Sequence, residues 1–198
     1  RFHIRDLIYD ALLVKSADEP AGYYGLLAKT VEVADDYGQV RFTLRADARW
    51  HDGKPILTKD LVYSAKALGT HGRPFYRSLF RRVRLEVMSP RRIRVHLSGA
   101  RPRQTALSYA TLPILPEHWW RTRDFSRPSL EPPLGSGAYR VAAVDQGRRL
   151  VLDRVKDYWA KDLPTARGAD NFDRLDYLYL RDRSAAFEAF LGGDLDTH

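Results

Sequence analysis

Residues 40–68 read VRFTLRADARWHDGKPILTKDLVYSAKAL, and three local signals follow one another there without slack. Val40, Phe42 and Leu44 alternate with Arg41, Thr43 and Arg45, the period of a strand with one buried face. Trp50 and His51 then lead into Asp52-Gly53 and Pro55, a turn in which glycine supplies a backbone conformation that other residues avoid. Thr58 offers a hydroxyl to cap a helix, and Asp60 places negative charge in its first turn, where the dipole favours it. Leu61, Val62, Ala65 and Leu68 form an apolar helical stripe, and Gly69 is placed to end it.

Working outward, Ile4, Leu7, Ile8, Ala11 and Leu12 recur at helical spacing and predict an amphipathic helix at the start. A polar loop runs from Ser16 to Gly25, ending in Tyr23-Tyr24-Gly25. Val31 and Val33 suggest a short strand, turned by Asp35 to Gly38 into the one already described. Beyond the capped helix, Gly69, Gly72 and Pro74 break the chain. VRLEV and RIRVHL then read as a hairpin around Ser89-Pro90. The apolar segment 105–120 carries Pro113 and Pro116, the second of which can open a short helix bearing His118, Trp119 and Trp120. Residues 127–137, with Pro128, Pro132, Pro133, Gly135 and Gly137, read as an ordered crossing loop because Leu130 and Leu134 interrupt it. A second hairpin spans Tyr139 to Val155. Leu175 to Leu180 is apolar on both faces, as in a central strand. Asp182 or Ser184 caps a last helix that Gly192-Gly193 ends. This order of elements predicts an α/β (mixed α+β) sheet protein and excludes a helical bundle.

Composition narrows the function classes. The chain has 198 residues, 44% of them hydrophobic, enough for one sizeable core, and no stretch as long and apolar as a membrane span. It has no cysteine, which removes disulfides and thiolate metal sites, and its six histidines are scattered. The first residue is Arg1 with no leader-like pattern after it, so a processed or excised piece is expected. Thirty-three basic residues against 25 acidic give a net charge of +8, which raises nucleic-acid binding as an alternative. The densest basic run, Arg73 to Arg103, has a simpler reading. In its hairpin Val83, Leu85, Val87, Ile93, Val95 and Leu97 share one face. Arg82, Arg84, Arg92, Arg94 and His96 share the other, so solvated arginines over a buried side account for the run.

The literal strings resemble the extracellular solute-binding proteins that feed peptide ABC importers, family 5. Phe42–Arg45, Trp50–Pro55 and Thr58–Leu61 match that family's Phe-x-Leu-Arg strand, aromatic-x-Asp-Gly-x-Pro turn and Thr-x-Asp-Leu helix start. Ile4 to Leu13 resembles its early helix. Gly135 to Tyr139 resembles its Gly-Ser-Gly-Pro-Tyr loop with Ala138 in place of proline, Asp157-Tyr158-Trp159 its Asp-Tyr-Trp box, and Gly193 to Asp196 its Gly-Glu-Ile-Asp ending. Residues 18–35 and 158–182 are similar to the YejA-like branch, associated with import of microcin C and of murein or other peptides. The resemblance implies the first lobe of a type II periplasmic-binding-protein-like fold, a mixed sheet with flanking helices. Residues 1–13 and 119–198 would form the main subdomain and 14–118 an appended one, without the extreme N-terminal strand and the second lobe.

It further implies a periplasmic or extracytoplasmic protein, free or lipid-anchored, that is not an enzyme and needs no cofactor or metal. Its partners would be a peptide-like ligand and a membrane permease, with no nucleic acid, and the protein a monomer. Lobe-one contacts map to Phe75 and Tyr76, then Tyr109, Ala110, Thr111 and Leu112. Other chemistry was weighed from the residues themselves. His51 with Asp52 can be drawn as a base and its orienting carboxylate, and His118 as a hydrolase residue. Gly135-Ser136-Gly137 lacks the lysine of a phosphate loop. Tyr158-Trp159 and Trp119-Trp120 read better as core anchors than as stacking platforms. Asp170, Asp173 and Asp176 do not fit a calcium loop and read as solvent-facing.

Overall fold

Strand β4 (Gln39–Leu44) does what its alternation demands, burying Val40, Phe42 and Leu44 and exposing Arg41. In the computed structural model, which describes residues 4–196 except 17, 101, 128, 181 and 194, it lies inside an antiparallel sheet. Its neighbours are β3 (Ala28–Val33) and β6 (Arg92–Leu97), with β5 (Val83–Ser89) beyond β6. The register sets Phe42 opposite Ile93 and Val40 opposite Val95, which also faces Leu85. The expected apolar face is buried or half-buried at Val83, Leu85, Ile93, Val95 and Leu97, but Val87, near the turn, is 53% exposed. On the outer side Arg41 pairs with Glu32 at 3.2 Å, while Glu86 accepts from Arg94 at 3.0 Å and from His96 at 2.8 Å. Arg1, Arg101, Pro128, Arg181, Asp194 and His198 lie outside the described residues.

The first helix, α1 (Ile4–Ile8), is shorter than its apolar spacing predicts. The Ile8 carbonyl, which a continuing helix would offer to residue 12, accepts instead from Ser136 N–H at 3.0 Å and Gly137 N–H at 2.8 Å. Leu12 likewise gives its carbonyl to Leu26 and Ala28. Two short strands, β1 (Leu13–Lys15) and β2 (Tyr23–Gly25), pair with each other, the second of them within the Ser16–Gly25 segment expected to be loop. Three-residue strands carry no readable period.

Helix α2 (Thr58–His71) corrects two expectations. Its N-cap is Leu57, not Thr58, whose hydroxyl donates to the Ser89 carbonyl at 3.0 Å. Capping falls to Asp60, whose Oδ2 accepts from Leu57 N–H at 2.9 Å. The helix also runs through Gly69 and ends at Gly72. A Cβ at Gly69 would meet the Phe80 side chain at 3.2 Å, so this glycine serves packing against α3 (Pro74–Phe80). Proline opens α3, where its missing N–H costs nothing. Helix α4 (Pro102–Ala110) follows the hairpin, and α5 (Glu117–Trp120) starts after Pro116 as expected.

Asp60 also holds α5, since its Oδ1 accepts from Glu117 N–H at 2.9 Å. One fully buried carboxylate thus serves two helix starts, the second at Glu117, 57 residues beyond Asp60 itself. Ser64 ties the same junction, donating to the Asp60 carbonyl at 2.6 Å and accepting from Leu115 N–H at 2.7 Å. Asp60→Ala leaves two buried N–H groups unsatisfied. We expect it to cost about 2–4 kcal/mol in urea unfolding, with Asp60→Asn in between. An alanine variant as stable as the parent would refute this account of the junction.

The remaining sheet is β7 (Tyr139–Asp145), β8 (Arg149–Arg154) and β9 (Arg174–Leu178), again antiparallel, with β8 in the middle. β9 is therefore an edge strand among the described residues and not the central strand its composition suggested. Its end is open to solvent, with Leu178, Tyr179 and Leu180 each about half exposed. Asp182 caps α6 (Arg183–Leu191) by accepting from Ser184 N–H at 2.9 Å. One hydrophobic cluster joins Leu7, Ile8 and Leu12 to Phe42, Trp50 and Leu61 and to Tyr139, Leu152 and Trp159. The core thus runs across residues 13–14 and 118–119 without a break.

Candidate functional site

Helices α3 and α4 lie against each other and carry most of the expected contact residues. Phe75 is 59% exposed and its ring meets Tyr76 edge-on at 5.6 Å. Tyr76 is half-buried, and Arg5 of α1 donates to its hydroxyl. On α4, Tyr109 is 3% exposed, its ring 6.2 Å from both Phe42 and Phe80. Ala110 is buried beside it. Thr111 is half-buried, its hydroxyl donating to the Leu107 carbonyl at 2.9 Å, and Leu112 is buried. Phe80 meets Tyr109 on one side and, on the other, the Ala67–Leu68–Leu115 cluster that Tyr76 also packs against, and among the six residues Phe75 and Tyr76 present the rings nearest the surface.

The Tyr109 hydroxyl is buried with no hydrogen-bond partner among the described residues, and burial pushes its pKa well above the ordinary tyrosine value. An orphaned buried hydroxyl costs stability. We expect Tyr109→Phe to raise the thermal midpoint, by the equivalent of about 1 kcal/mol. A lower midpoint would show that the hydroxyl has a partner in solution.

Beside Tyr76 lies an aromatic patch that the sequence did not disclose. Tyr9, Tyr63, Phe80, Trp120 and Phe125 pack with Tyr76 around Ala67, Leu68 and Leu115. Trp119 and Trp120 meet edge-on at 4.6 Å, and Trp120 and Phe125 at 4.9 Å. Arg123 stacks 3.9 Å over Trp119 and bonds Glu131 at 2.9 Å through Nε. The rings come from five separate segments, so no window of sequence contains the pattern.

A second missed residue supports the site from behind. Asp10 is buried, and its two oxygens accept from Tyr158 O–H and Trp159 Nε1–H, each at 2.8 Å. Its own N–H donates to Ser136 Oγ at 3.1 Å, and its carbonyl accepts from Ile114 N–H at 3.0 Å. Desolvation by burial raises its pKa to about 7, against the pull of those hydrogen bonds. The only sequence signal was an aspartate between Ile8 and Ala11 of the apolar helical repeat, which also holds Asp6. The Asp157-Tyr158-Trp159 box is accordingly an anchor, as expected.

The Gly135-Ser136-Gly137 loop closes over the end of α1. A Cβ on Gly135 would sit 2.3 Å from the Ile8 carbonyl oxygen, and one on Gly137 2.4 Å from that of Leu7. His51 fastens the loop's other side: its N–H donates to Gly135 at 2.9 Å, and its ring Nε2–H to the Gly137 carbonyl at 2.8 Å. Burial lowers the pKa of this imidazole. Asp52 does not orient it, because that carboxylate faces His118 at 2.9 Å and Lys54 at 3.1 Å. Ser136 is 1% exposed. These residues therefore form a structural junction and not a nucleophile with its base. Among the described residues no group of three or more histidines and carboxylates is placed to hold a metal ion. The three aspartates read as solvent-facing differ in setting: Asp173 pairs with Arg154, Asp176 with Arg149, and Asp170 is half-buried.

Residues 22–198 match the family model described as bacterial extracellular solute-binding proteins, family 5 Middle. Over 190 residues, 96% of this chain and 31% of the relative, the sequence is 40% identical to the uncharacterized protein YejA of Escherichia coli. It is 36% identical over 195 residues, 98% of this chain and 32% of the relative, to the peptidoglycan-binding protein YepA of Agrobacterium fabrum. The chain thus spans about a third of the length of the curated relatives it matches. The crystal structure of NikZ from Campylobacter jejuni, in complex with Ni(L-His), superposes with a TM-score of 0.79. Identity there is 21%, with 96% of this chain and 37% of that chain covered, which shows a shared fold. Strand, turn, capped helix, glycine loop and Asp-Tyr-Trp anchor meet in one scaffold, and the chain belongs to the family 5 bacterial extracellular solute-binding proteins.

Proposed function

We propose that this chain is the first lobe of the substrate-binding component of an ABC importer, which captures peptides or peptide-like solutes outside the cytoplasmic membrane and delivers them to a permease. The observation that carries this reading is the family match over residues 22–198. The names of relatives, a peptidoglycan-binding protein and a probable peptide-binding protein, support peptide-like cargo. In this reading residues 14–118 are the appended subdomain. Phe75 and Tyr76 touch ligand, while Tyr109, Ala110 and Thr111 set the wall behind them.

The role is binding and not catalysis, which agrees with histidines and serine committed to scaffold bonds. The protein works as a monomer without nucleic acid. The arginine-bearing hairpin supports the last point, since Arg94 is held by Glu86 and Ile93 and Val95 are buried on the other side. Among the described residues no helix is long and apolar enough to cross a membrane.

A closed cleft gains its strength by excluding water between two lobes. Calorimetry with a panel of cell-wall and linear peptides is expected to show binding by the intact protein, and weak or no binding by the 198-residue lobe. Submicromolar binding by the isolated lobe would contradict the two-lobe reading. An intact protein that binds none of the panel, but binds random duplex DNA with a steep salt dependence, would replace it with the nucleic-acid reading.

A further inference from the structure

The hairpin accounts for the basic run from Arg82 onward, and the run's earlier arginines belong to α3. Arg73 is its N-cap, Arg77 lies in its middle and Arg81 is its C-cap. The Arg77 N–H donates to the Arg73 carbonyl at 3.3 Å, which puts Arg73 under the first turn. A spacing of four residues aligns the three side chains along one flank of the helix, over about 12 Å of its axis. The inner flank is occupied. Leu79 is buried, and Tyr76 and Phe80 are half-buried against α2. A Cβ on Gly72 would meet Tyr76 at 3.0 Å, and one on Gly69 would meet Phe80 at 3.2 Å. Phe75, two residues from both Arg73 and Arg77, projects away from the arginines. All three arginines are exposed, with no ion pair, side-chain hydrogen bond or ring contact among the described residues. No acid occurs from Leu61 to Leu85. Carboxylates on adjoining segments are already held: Asp6 by Arg5 at 2.8 Å, Asp124 by Arg127 at 3.0 Å and Glu86 by Arg94 at 3.0 Å.

We propose that this outer flank of α3 rests on an anionic phospholipid surface, with Arg73, Arg77 and Arg81 against the headgroup phosphates. The proposal rests on the importer reading, in which cargo is handed over at a membrane. Three long cations in a row, with no carboxylate among them and no pocket beside them, offer a partner charge without shape. A protein epitope needs shape as well, whereas a fluid anionic bilayer needs charge alone. Each arginine near such a surface adds to the attraction, and salt screens it. The flank carries no exposed ring to insert, so attachment is peripheral and reversible. Phe75 and Tyr76 point elsewhere on the helix and stay free for ligand while the arginines face the membrane.

The test uses the intact protein of which this chain is part. It is cosedimented with vesicles of phosphatidylcholine alone and of phosphatidylcholine with about one-quarter phosphatidylglycerol, at low and at physiological salt. Binding to the anionic vesicles only is expected, weakening as salt rises. The Arg73→Gln/Arg77→Gln/Arg81→Gln variant should lose affinity about tenfold or more, and Arg77→Gln/Arg81→Gln should fall between it and the parent. Replacing the same three arginines by lysine keeps the charge and should keep the binding. Arg148→Gln/Arg149→Gln/Arg174→Gln removes equal charge from arginines that pair with Asp145, Asp176 and Asp153, and should bind as the parent does. Equal binding to both vesicle types overturns the proposal, as does an equal loss in that control, which would make net charge the cause. Tighter binding to random duplex DNA than to the vesicles at the same salt, through the same arginines, overturns it in favour of a nucleic-acid surface. A parent that binds peptide but no vesicle sinks this proposal alone. One that binds the anionic vesicles through these arginines but no peptide of the panel supports the surface and removes the importer reading.

Discussion

Asp10→Ala is expected to be among the most damaging single substitutions in this chain, costing about 3–5 kcal/mol of unfolding free energy. The change removes the acceptor for Tyr158 O–H and Trp159 Nε1–H at once, each donor's one hydrogen bond among the described residues. It also opens a cavity where the α1 end, the glycine loop and the Asp-Tyr-Trp box converge. Asp10→Asn separates shape from charge, since its amide oxygen can still accept from Trp159 while its NH₂ donates to Tyr158.

The pH response of the same residue has a defined sign. The folded state raises the carboxyl from its ordinary 3.8 to about 7, so the folded protein holds a proton that the unfolded chain releases above pH 4. Its contribution to stability is complete below pH 4. It falls as pH rises through 4 to 7 and is flat above, by up to about 4 kcal/mol. Denaturation of the parent and of Asp10→Asn across that range should give a difference curve with this slope. Parallel curves would mean that Asp10 keeps an ordinary pKa in the fold.

Gly137→Ala and Gly135→Ala are expected to be at least as severe, losing about 4 kcal/mol or more, or yielding no soluble protein. The obstacle is backbone and not a side chain that can swing away. An added methyl would lie 2.3–2.4 Å from the carbonyl oxygens of Ile8 and Leu7. Relief would mean withdrawing the loop and breaking the bonds from Ser136 N–H and Gly137 N–H to Ile8. Gly53, at φ +82 with open space around it, provides the contrast. Gly53→Asn should cost a few tenths of a kcal/mol at most, because asparagine tolerates that conformation. If Gly137→Ala unfolded no earlier than Gly53→Asn, the close-approach argument would be wrong.

What could be read from the sequence was local. The alternation at Val40–Leu44, the hairpin around Ser89-Pro90 and the Asp182 cap all involve residues within a few positions of one another. Even the capped helix at 58 was located correctly, although the atom was not. A hydroxyl at Thr58 and a carboxylate at Asp60 both suit a helix start, and only the fold decides which backbone group each one reaches. Leu175 to Leu180 announced a need for burial without saying what would meet it. Asp10 was opaque because its partners lie 148 and 149 residues away. The face that a helix such as α4 presents is likewise set by its neighbours, and so Tyr109 sits between Phe42 and Phe80. The strings that carried the family resemblance turn out to be the scaffold's joints, which is why they identify the lobe and say little about its ligand.

The bonds from residues 8–10 to residues 136–159 also impose an order of events on synthesis. Asp10 leaves the ribosome 148 residues ahead of Tyr158, so the end of α1 completes its seat only when the glycine loop and the Tyr158-Trp159 pair have followed it out. At ordinary translation speeds that wait is roughly 8 to 30 s. Through that interval the apolar face of Leu7, Ile8 and Leu12 has no finished seat, and a chaperone has its longest opportunity to hold the chain.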